Sequence, residues 1–299
     1  MGDQKLFRLA SGSVSELVGS AATLEKALQT VMEKHLDQFL GVTFLASEYV
    51  TSHGGRMDTL GIDENRCPVI IEYKRDRNEN VINQGLFYLD WLMDHRGDFE
   101  LLVLKTLGPD AAAKIEWSAP RLICIAGDFT KYDAHAVNQM SRNIELIRYR
   151  KFGEELLFLD QLTSVSSSSI GTGTTPSTPI KYKTATEYLA DAPDDLQNLY
   201  ADLRIFLLSI GDDVQEKTLQ FYIAFRRLKN FACVEVKPSL GVVRAYLKVD
   251  PREVELADGF VRDVRNVGHF GTGDLEITIS SHEDLERAKP YILQSYEAS

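Results

Sequence analysis

The sequence predicts a mixed α/β domain, a sheet flanked by helices, followed by a small α+β domain. Three observations predict it. Short apolar, strand-like runs alternate with amphipathic helical ones through the first half. A Ser/Thr/Gly-rich stretch, Thr163 to Thr178 (TSVSSSSIGTGTTPST), then breaks the pattern and has too little apolar surface to repay ordering, so it reads as a linker. Beyond it the order changes to helices, then strands, then one last helix. The expected division is a first domain over 1–163, a linker over 164–183 and a second domain over 184–299. The 299 residues suffice for two domains of ordinary size, and no internal repeat is visible.

The elements follow in order. After a short apolar piece around Leu6, the residues Leu24, Leu28, Val31, Leu36, Phe39 and Leu40 recur at helical spacing. They predict a helix over Thr23 to Leu40 with Thr23 as N-cap. Strands are expected at Phe44 to Val50, Arg56 to Ile62 and Val69 to Lys74, the last two separated by the turn residues Asp63, Glu64 and Asn65. Val81 to Met93 reads as an amphipathic helix. Leu101 to Leu104, Leu122 to Ala126, Ile144 to Tyr149 and Leu156 to Leu159 read as strands. In the second domain, Thr186 to Leu208 and Glu216 to Leu228 read as helices, Ala232 to Lys237, Val242 to Val249 and Leu275 to Ser280 as strands. A final helix is capped near Ser281, with Glu283 and Asp284 in its first turn.

Composition narrows the function classes. With 44% hydrophobic and 26% charged residues the chain is of soluble globular type, and no apolar run approaches the ~20 residues of a membrane helix. The amino terminus lacks the basic and apolar regions of a secretory signal. Cys67, Cys124 and Cys233 are odd in number and far apart, which argues against a disulfide framework and for a reduced, cytoplasmic setting. The net charge is -11, with 18 Lys/Arg against 24 Asp/Glu over 1–163 and 15 against 20 over the rest. Any nucleic-acid contact must therefore come from a local patch.

The chemistry concentrates between Gly54 and Leu92. Glu72 and Lys74 are two residues apart on one strand and so share a face, while Val69, Ile71 and Tyr73 face one side and Ile70 the other. A strand buried on both faces should not carry an acid and a lysine unless they serve each other or a ligand. Asp58, on the preceding strand, faces the same side as Glu72 only if their hairpin register sum is even. That requires an odd-length loop, such as Glu64 to Arg66, or a bulge; a two-residue loop would turn Asp58 away. Two carboxylates converging beside a lysine make a site for a hard cation, Mg²⁺ or Mn²⁺, which can lower the pKa of a bound water and neutralise charge on a phosphate. Lys74 would position that water or stabilise the developing charge.

The pattern D-x13-E-x-K across a hairpin, after a helix bearing Glu, resembles the PD-(D/E)XK nuclease superfamily and its restriction-endonuclease-like fold. It is most similar to the NucS-type endonuclease catalytic domain, through Glu25-Lys26-Ala27-Leu28, Arg56-Met57-Asp58-Thr59-Leu60, Glu72-Tyr73-Lys74, and Gln84 with Tyr88. The match spans roughly residues 20–95, with Met57 where the superfamily has Pro. The resemblance implies a metal-dependent endonuclease acting on DNA. Asp58 and Glu72 would bind metal, Lys74 assist the water, Glu25 complete the acidic cluster, and Gln84 and Tyr88 contact substrate or orient the site. The DNA-binding amino-terminal domain of NucS-type enzymes is expected to be absent. A homodimer would supply the two active sites needed to cut both strands. Lys229 to Ala232, Arg262 to Val264 and Gly268 to Asp274 resemble a small domain of unknown function placed last in predicted nucleases.

Competing readings stand beside these. Glu33 lies on a face similar to that of Glu25. Gln84 and Tyr88, one turn apart, could be a partly buried helix face. Arg56, Arg75 and Arg77 could meet phosphates or form a loop charge cluster. His269 in its Gly-rich loop is expected to mark a turn rather than a phosphate cradle. Arg226, Arg227 and Lys229 are expected at a solvated helix end. Cys67 is assigned to packing. Alternatives to a nuclease are a nucleic-acid-binding protein that cleaves nothing, and an interaction or regulatory protein working through its second domain.

Overall fold

The computed structural model describes residues 5–10, 13–20, 25–74, 80–140, 142–165 and 183–299. Residues 166–178 of the Ser/Thr/Gly-rich stretch, the N-cap Thr23 and the loop arginines Arg75 and Arg77 lie outside the described residues.

The chain opens with a small hairpin, β1 (Leu6–Ala10) and β2 (Ser13–Leu17). The expected long helix is two, α1 (Glu25–Lys34) and α2 (Leu36–Leu40), interrupted at His35. Leu28, Met32, Leu36 and Leu40 still form one buried apolar row across the break. Next comes the antiparallel meander β3 (Val42–Val50), β4 (Arg56–Asp63) and β5 (Pro68–Lys74). Then α3 (Asn80–Asp94), α4 (Arg96–Leu107) and α5 (Pro109–Ala112) cross over to β6 (Arg121–Ala126), which pairs parallel to β5. Through α6 (Lys131–Asn138) the chain reaches β7 (Asn143–Phe152), parallel to β6, and then β8 (Leu156–Val165), antiparallel to it. The sheet is thus mixed and six-stranded, in the order β3-β4-β5-β6-β7-β8.

Helices cover both faces of this sheet. Ile70, Leu122, Cys124, Ile144 and Leu146 meet Val81, Ile82, Leu89 and Leu92 of α3 and Phe99 and Val103 of α4. Val69, Ile71, Tyr73, Ile123, Ile125 and Ile147 meet Leu28 and Met32 of α1 and Leu36 and Leu40 of α2. The expected strand at Leu101 to Leu104 is instead the middle of α4. Phe99 and Val103, four residues apart, bury on one face while Leu101 and Leu104 stay exposed. A four-residue apolar run alone does not reveal that period.

The second unit holds α7 (Ala185–Ala190), α8 (Asp194–Ser209), β9 (Gln215–Thr218), β10 (Ile223–Arg226), β11 (Asn230–Lys237), β12 (Val242–Leu247), β13 (Val261–Asp263), β14 (Leu275–Ile279) and α9 (His282–Glu297). Its sheet is wholly antiparallel, ordered β13-β14-β12-β11-β10-β9. This α+β unit agrees with expectation, as does the last helix, whose N-cap Ser281 accepts from the Asp284 N–H at 3.2 Å. Two expectations fail. The helix over Thr186 to Leu208 is broken by Pro193, which cannot continue a preceding helix. The helix over Glu216 to Leu228 is a strand pair. Ile223 and Phe225 point into the core beneath the helices while Tyr222 and Ala224 point to the opposite face, a period of two that only sheet burial makes visible.

That opposite face packs on the first unit. Tyr222, Ala224, Cys233, Tyr246 and Val264 share an apolar cluster with Cys67 and Ala119, so Cys67 does serve packing. Around it runs a polar seam. Tyr222 Oη and Asn230 Nδ2 donate to Asn65 Oδ1 at 2.9 and 2.6 Å, Lys248 pairs with Glu64, and Arg226 reaches Glu145. Arg226 is therefore a buried strand residue, not part of a solvated helix end. Gly271 and Gly273 adopt φ of +82° and +143°, where a Cβ would meet Cys233 and Leu247, so the loop carrying His269 is a turn that needs glycine.

Candidate active site

The β4–β5 hairpin decides whether the two acids meet. Thr59 pairs with Ile71 and Gly61 with Val69, and the Asp63 N–H donates to the Cys67 carbonyl at 2.9 Å. The loop is therefore the three residues Glu64, Asn65 and Arg66, closed by Arg66 in the left-handed region at φ 65°. The register sum is even, as the site required. Extended by one step, it sets Asp58 opposite Glu72. The ladder opens there, and the side chains replace it. Glu72 Oε1 accepts the Asp58 N–H at 3.2 Å, and Asp58 Oδ2 accepts the Tyr73 N–H at 3.0 Å.

Burial sets the electrostatics. Glu72 is fully buried, and its Oε2 has no hydrogen-bond partner among the described residues. Burial, reinforced by the neighbouring Asp58 charge, pushes its carboxyl up to about 8. Burial also raises Asp58, partly offset by the Tyr73 N–H and by Lys74. Lys74 Nζ lies 3.8 Å from Glu25 Oε2 at the start of α1. Glu33, the rival on the same helix, accepts from Thr59 Oγ1 at 2.7 Å and from Gln29 Nε2 at 2.8 Å, behind the hairpin. Of the two, Glu25 is the acid brought to Lys74.

Gln84 and Tyr88 come together on α3. Gln84 Nε2 donates to Tyr88 Oη at 3.3 Å, and Tyr88 Oη accepts the Arg56 N–H at 3.1 Å. Tyr88 is buried, and its ring lies where a Cβ on Gly55 would stand. These contacts hold the start of β4, two residues before Asp58.

Two residues escaped the sequence reading. Gln29, buried on α1, donates to the Asp58 carbonyl at 2.7 Å and ties the helix to β4. Its signal was the polar row Glu25, Gln29 and Glu33 at spacing four on a helix with an apolar face. Glu48 on β3 pairs with Lys26 at 2.8 Å and Arg56 at 2.6 Å, and its charge acts on both Asp58 and Glu72. An isolated Glu in a strand carries no spacing signal.

The donor set fits a hard cation held by two carboxylates, with other positions left to water. The buried, unpartnered Glu72 oxygen is the observation in favour. Among the described residues no group of three His, Cys, Asp or Glu that could hold a metal ion is present.

A family model described as a domain of unknown function (DUF5655) matches residues 185–299. A protein of Haemophilus influenzae (strain Rd) described as uncharacterized is 29% identical over 301 residues, covering 97% of this chain and 99% of its own. Among solved structures, a repair endonuclease from Pyrococcus abyssi is similar at a TM-score of 0.30 and 17% identity, covering 45% of this chain and 51% of that one. An EndoMS–dsDNA2 complex is similar at 0.29 and 18% identity, covering 45% and 47%. The chain spans about half the length of these solved proteins. No helix among the described residues is long and apolar enough to cross a membrane.

Proposed function

We propose that the protein is a metal-dependent nuclease that hydrolyses phosphodiester bonds in DNA. The observation that carries this reading is the opposed pair Asp58 and Glu72, with one buried Glu72 oxygen unpartnered beside Lys74. A buried carboxylate without a cation is costly, and a site that keeps Glu72 buried beside half-buried Asp58 has a use for the pair. Asp58 and Glu72 would hold Mg²⁺ or Mn²⁺, which when bound lowers the pKa of the attacking water and neutralises charge on the scissile phosphate. Lys74 stands where it can orient the water and offset charge developing on the phosphate oxygens. Glu25 holds the Lys74 ammonium in place. Gln29 fixes the Asp58 backbone, and Tyr88 fixes the strand start at Arg56. The acid-rich site also suits the acidic chain, since phosphate approach then depends on the cation. The choice of DNA follows the motif resemblance, and a homodimer remains part of the proposal for double-strand cutting.

The test is cleavage of labelled single-stranded, duplex and branched DNA with Mg²⁺ or Mn²⁺, comparing wild type with Asp58→Ala and Lys74→Ala. The expected result is cleavage abolished by EDTA and by both substitutions. Binding that survives chelation with no cleavage would support a non-cleaving binder instead. No binding at all would turn attention to an interaction role for the second unit.

A further inference from the structure

We propose that Lys26 and Arg56, bridged by Glu48, form a phosphate subsite on the rim of the Asp58–Glu72 site, which receives a backbone phosphate beside the scissile one. The inference rests on the nuclease reading and adds to it a substrate contact built from three elements.

The β3–β4 ladder pairs Ser47 with Thr59 and Tyr49 with Met57, so Glu48 stands opposite Asp58, and Asp58 stands opposite Glu72. Three adjacent strands thus contribute one acid each to a single row. Glu48 takes φ of 55°, one of two positive-φ non-glycine residues among those described; the other, Arg66, closes the hairpin turn. The left-handed conformation is disfavoured for a Glu by the clash of its Cβ with the following carbonyl. That cost turns its carboxylate to bridge two cations, Lys26 Nζ at 2.8 Å and Arg56 Nε at 2.6 Å. Their side chains are 57% and 64% exposed, and pairs so exposed add too little stability to offset the strain. Local strain that stability does not explain points to function.

The placement says which function. Lys26 directly follows Glu25, the partner of Lys74, and Arg56 precedes Asp58 by two residues on the same strand and so shares its face. Both cations therefore border the carboxylates that would hold the metal. The trio carries two positive charges and one negative, a local surplus in a chain of net charge -11. The Lys26 hydrogen bond holds the Glu48 carboxyl below the usual carboxylate range, so the bridge stays charged. One carboxylate now offers an oxygen to each cation. A phosphodiester offers two non-bridging oxygens and matches the same pair of donors. Glu48 acts here as a positioning residue that keeps the two cations presented while no phosphate is bound.

The experiment is binding of a labelled single-stranded and a duplex oligonucleotide across a salt series with Mg²⁺ present, in the Lys74→Ala background so that the probe stays intact. Lys26→Ala and Arg56→Ala should each weaken binding several-fold and flatten the dependence of log Kobs on log salt by about 0.7–0.9. Lys34→Ala, in the last turn of the same helix, should leave the slope unchanged. In the wild-type background, Glu48→Ala should raise KM for cleavage, and Glu48→Gln, whose single amide oxygen can accept from only one of the two cations, should restore it in part. Unchanged slopes for both cation variants, with the parent binding normally, would overturn the subsite and leave the nuclease reading intact. A parent that binds neither probe, together with a wild type that cleaves nothing, would overturn both.

Discussion

Strand β4 carries a carboxylate toward each end, Asp63 buried and Asp58 half-buried, and the two sit in opposite electrostatic settings. Asp63, at the turn end, accepts Arg121 Nη1 at 2.9 Å, and Arg121 grips Glu145 with Nε and Nη2 at 2.7 and 3.0 Å. Arg226 adds a second guanidinium from the other unit. Burial alone would push Glu145 up, but Arg121 and Arg226 outweigh it and hold the carboxyl below its ordinary range. At the far end, half-buried Asp58 and buried Glu72 face each other with no guanidinium reaching them among the described residues. The nearest cation, Lys74, is shared with Glu25, and Glu72 rises to about 8. The difference teaches how to read buried acids. Where guanidinium partners are supplied, the cluster is a joint between two sheets. Where no guanidinium reaches the pair among the described residues, burial leaves the carboxyl raised.

The comparison can be broken at the joint first. Arg121→Met would leave Glu145 and Asp63 buried with only Arg226 and Lys217 as nearby cations among the described residues, and should cost about 3–5 kcal/mol in denaturant unfolding. A loss below 1 kcal/mol would mean that the joint does not carry the interface.

The opposite sign is expected at the site. A Glu72 raised from 4.5 to about 8 makes the native state bind more protons than the unfolded chain between those values. Its contribution is favourable below pH 4.5 and is lost as pH rises toward 8. Glu72→Gln should therefore match wild type near pH 4 and exceed it by about 2–4 kcal/mol at pH 8. A gap that stays constant across that range would remove the electrostatic distinction between the two clusters.

Divalent cation should sharpen the contrast further. Mn²⁺ at a hundred times its pH 8 Kd should stabilise the wild type by about 2.7 kcal/mol at pH 8, and the same concentration should stabilise it less at pH 6, because binding displaces the Glu72 proton. Asp58→Asn should abolish the shift, and Asp63→Asn should preserve it in a calorimetric titration.

The smallest expected effect lies in the seam. Lys217 donates to Asn143 Oδ1 at 2.5 Å and is lowered by burial to about 8. The native state then binds fewer protons than the unfolded chain from pH 8 to the ordinary lysine range, so this group's penalty fades as pH rises. Lys217→Met should stabilise by about 1 kcal/mol at pH 7 and by less at pH 10. An equal effect at both pH values would assign the gain to packing.

Much of the first unit was legible because its signals are local. The strands around Asp58 and Glu72 are short apolar runs between turn residues, and the even register followed from asking which loop length lets two acids share a face. The misread elements share one cause. Leu101 to Leu104 and Glu216 to Leu228 are segments whose burial is set by what packs on them, so composition alone could not choose between periods of two and 3.6. Glu48 stayed invisible for a related reason, since its meaning lies in a bulged strand and in two cations distant in sequence.

By itself the sequence determined the α/β-then-α+β order of elements and the condition that Asp58 and Glu72 share a face only across an odd-length loop or a bulge, because periodicity and strand parity are properties of neighbouring residues; the structure supplied the three-residue loop. Only the tertiary structure decided that Glu25 rather than Glu33 meets Lys74, that Gln29 and Glu48 join the site, and that Arg226 crosses to Glu145. Those outcomes depend on where helices and sheets dock, and a buried charge acquires its partner only when distant segments come within a few ångströms of it.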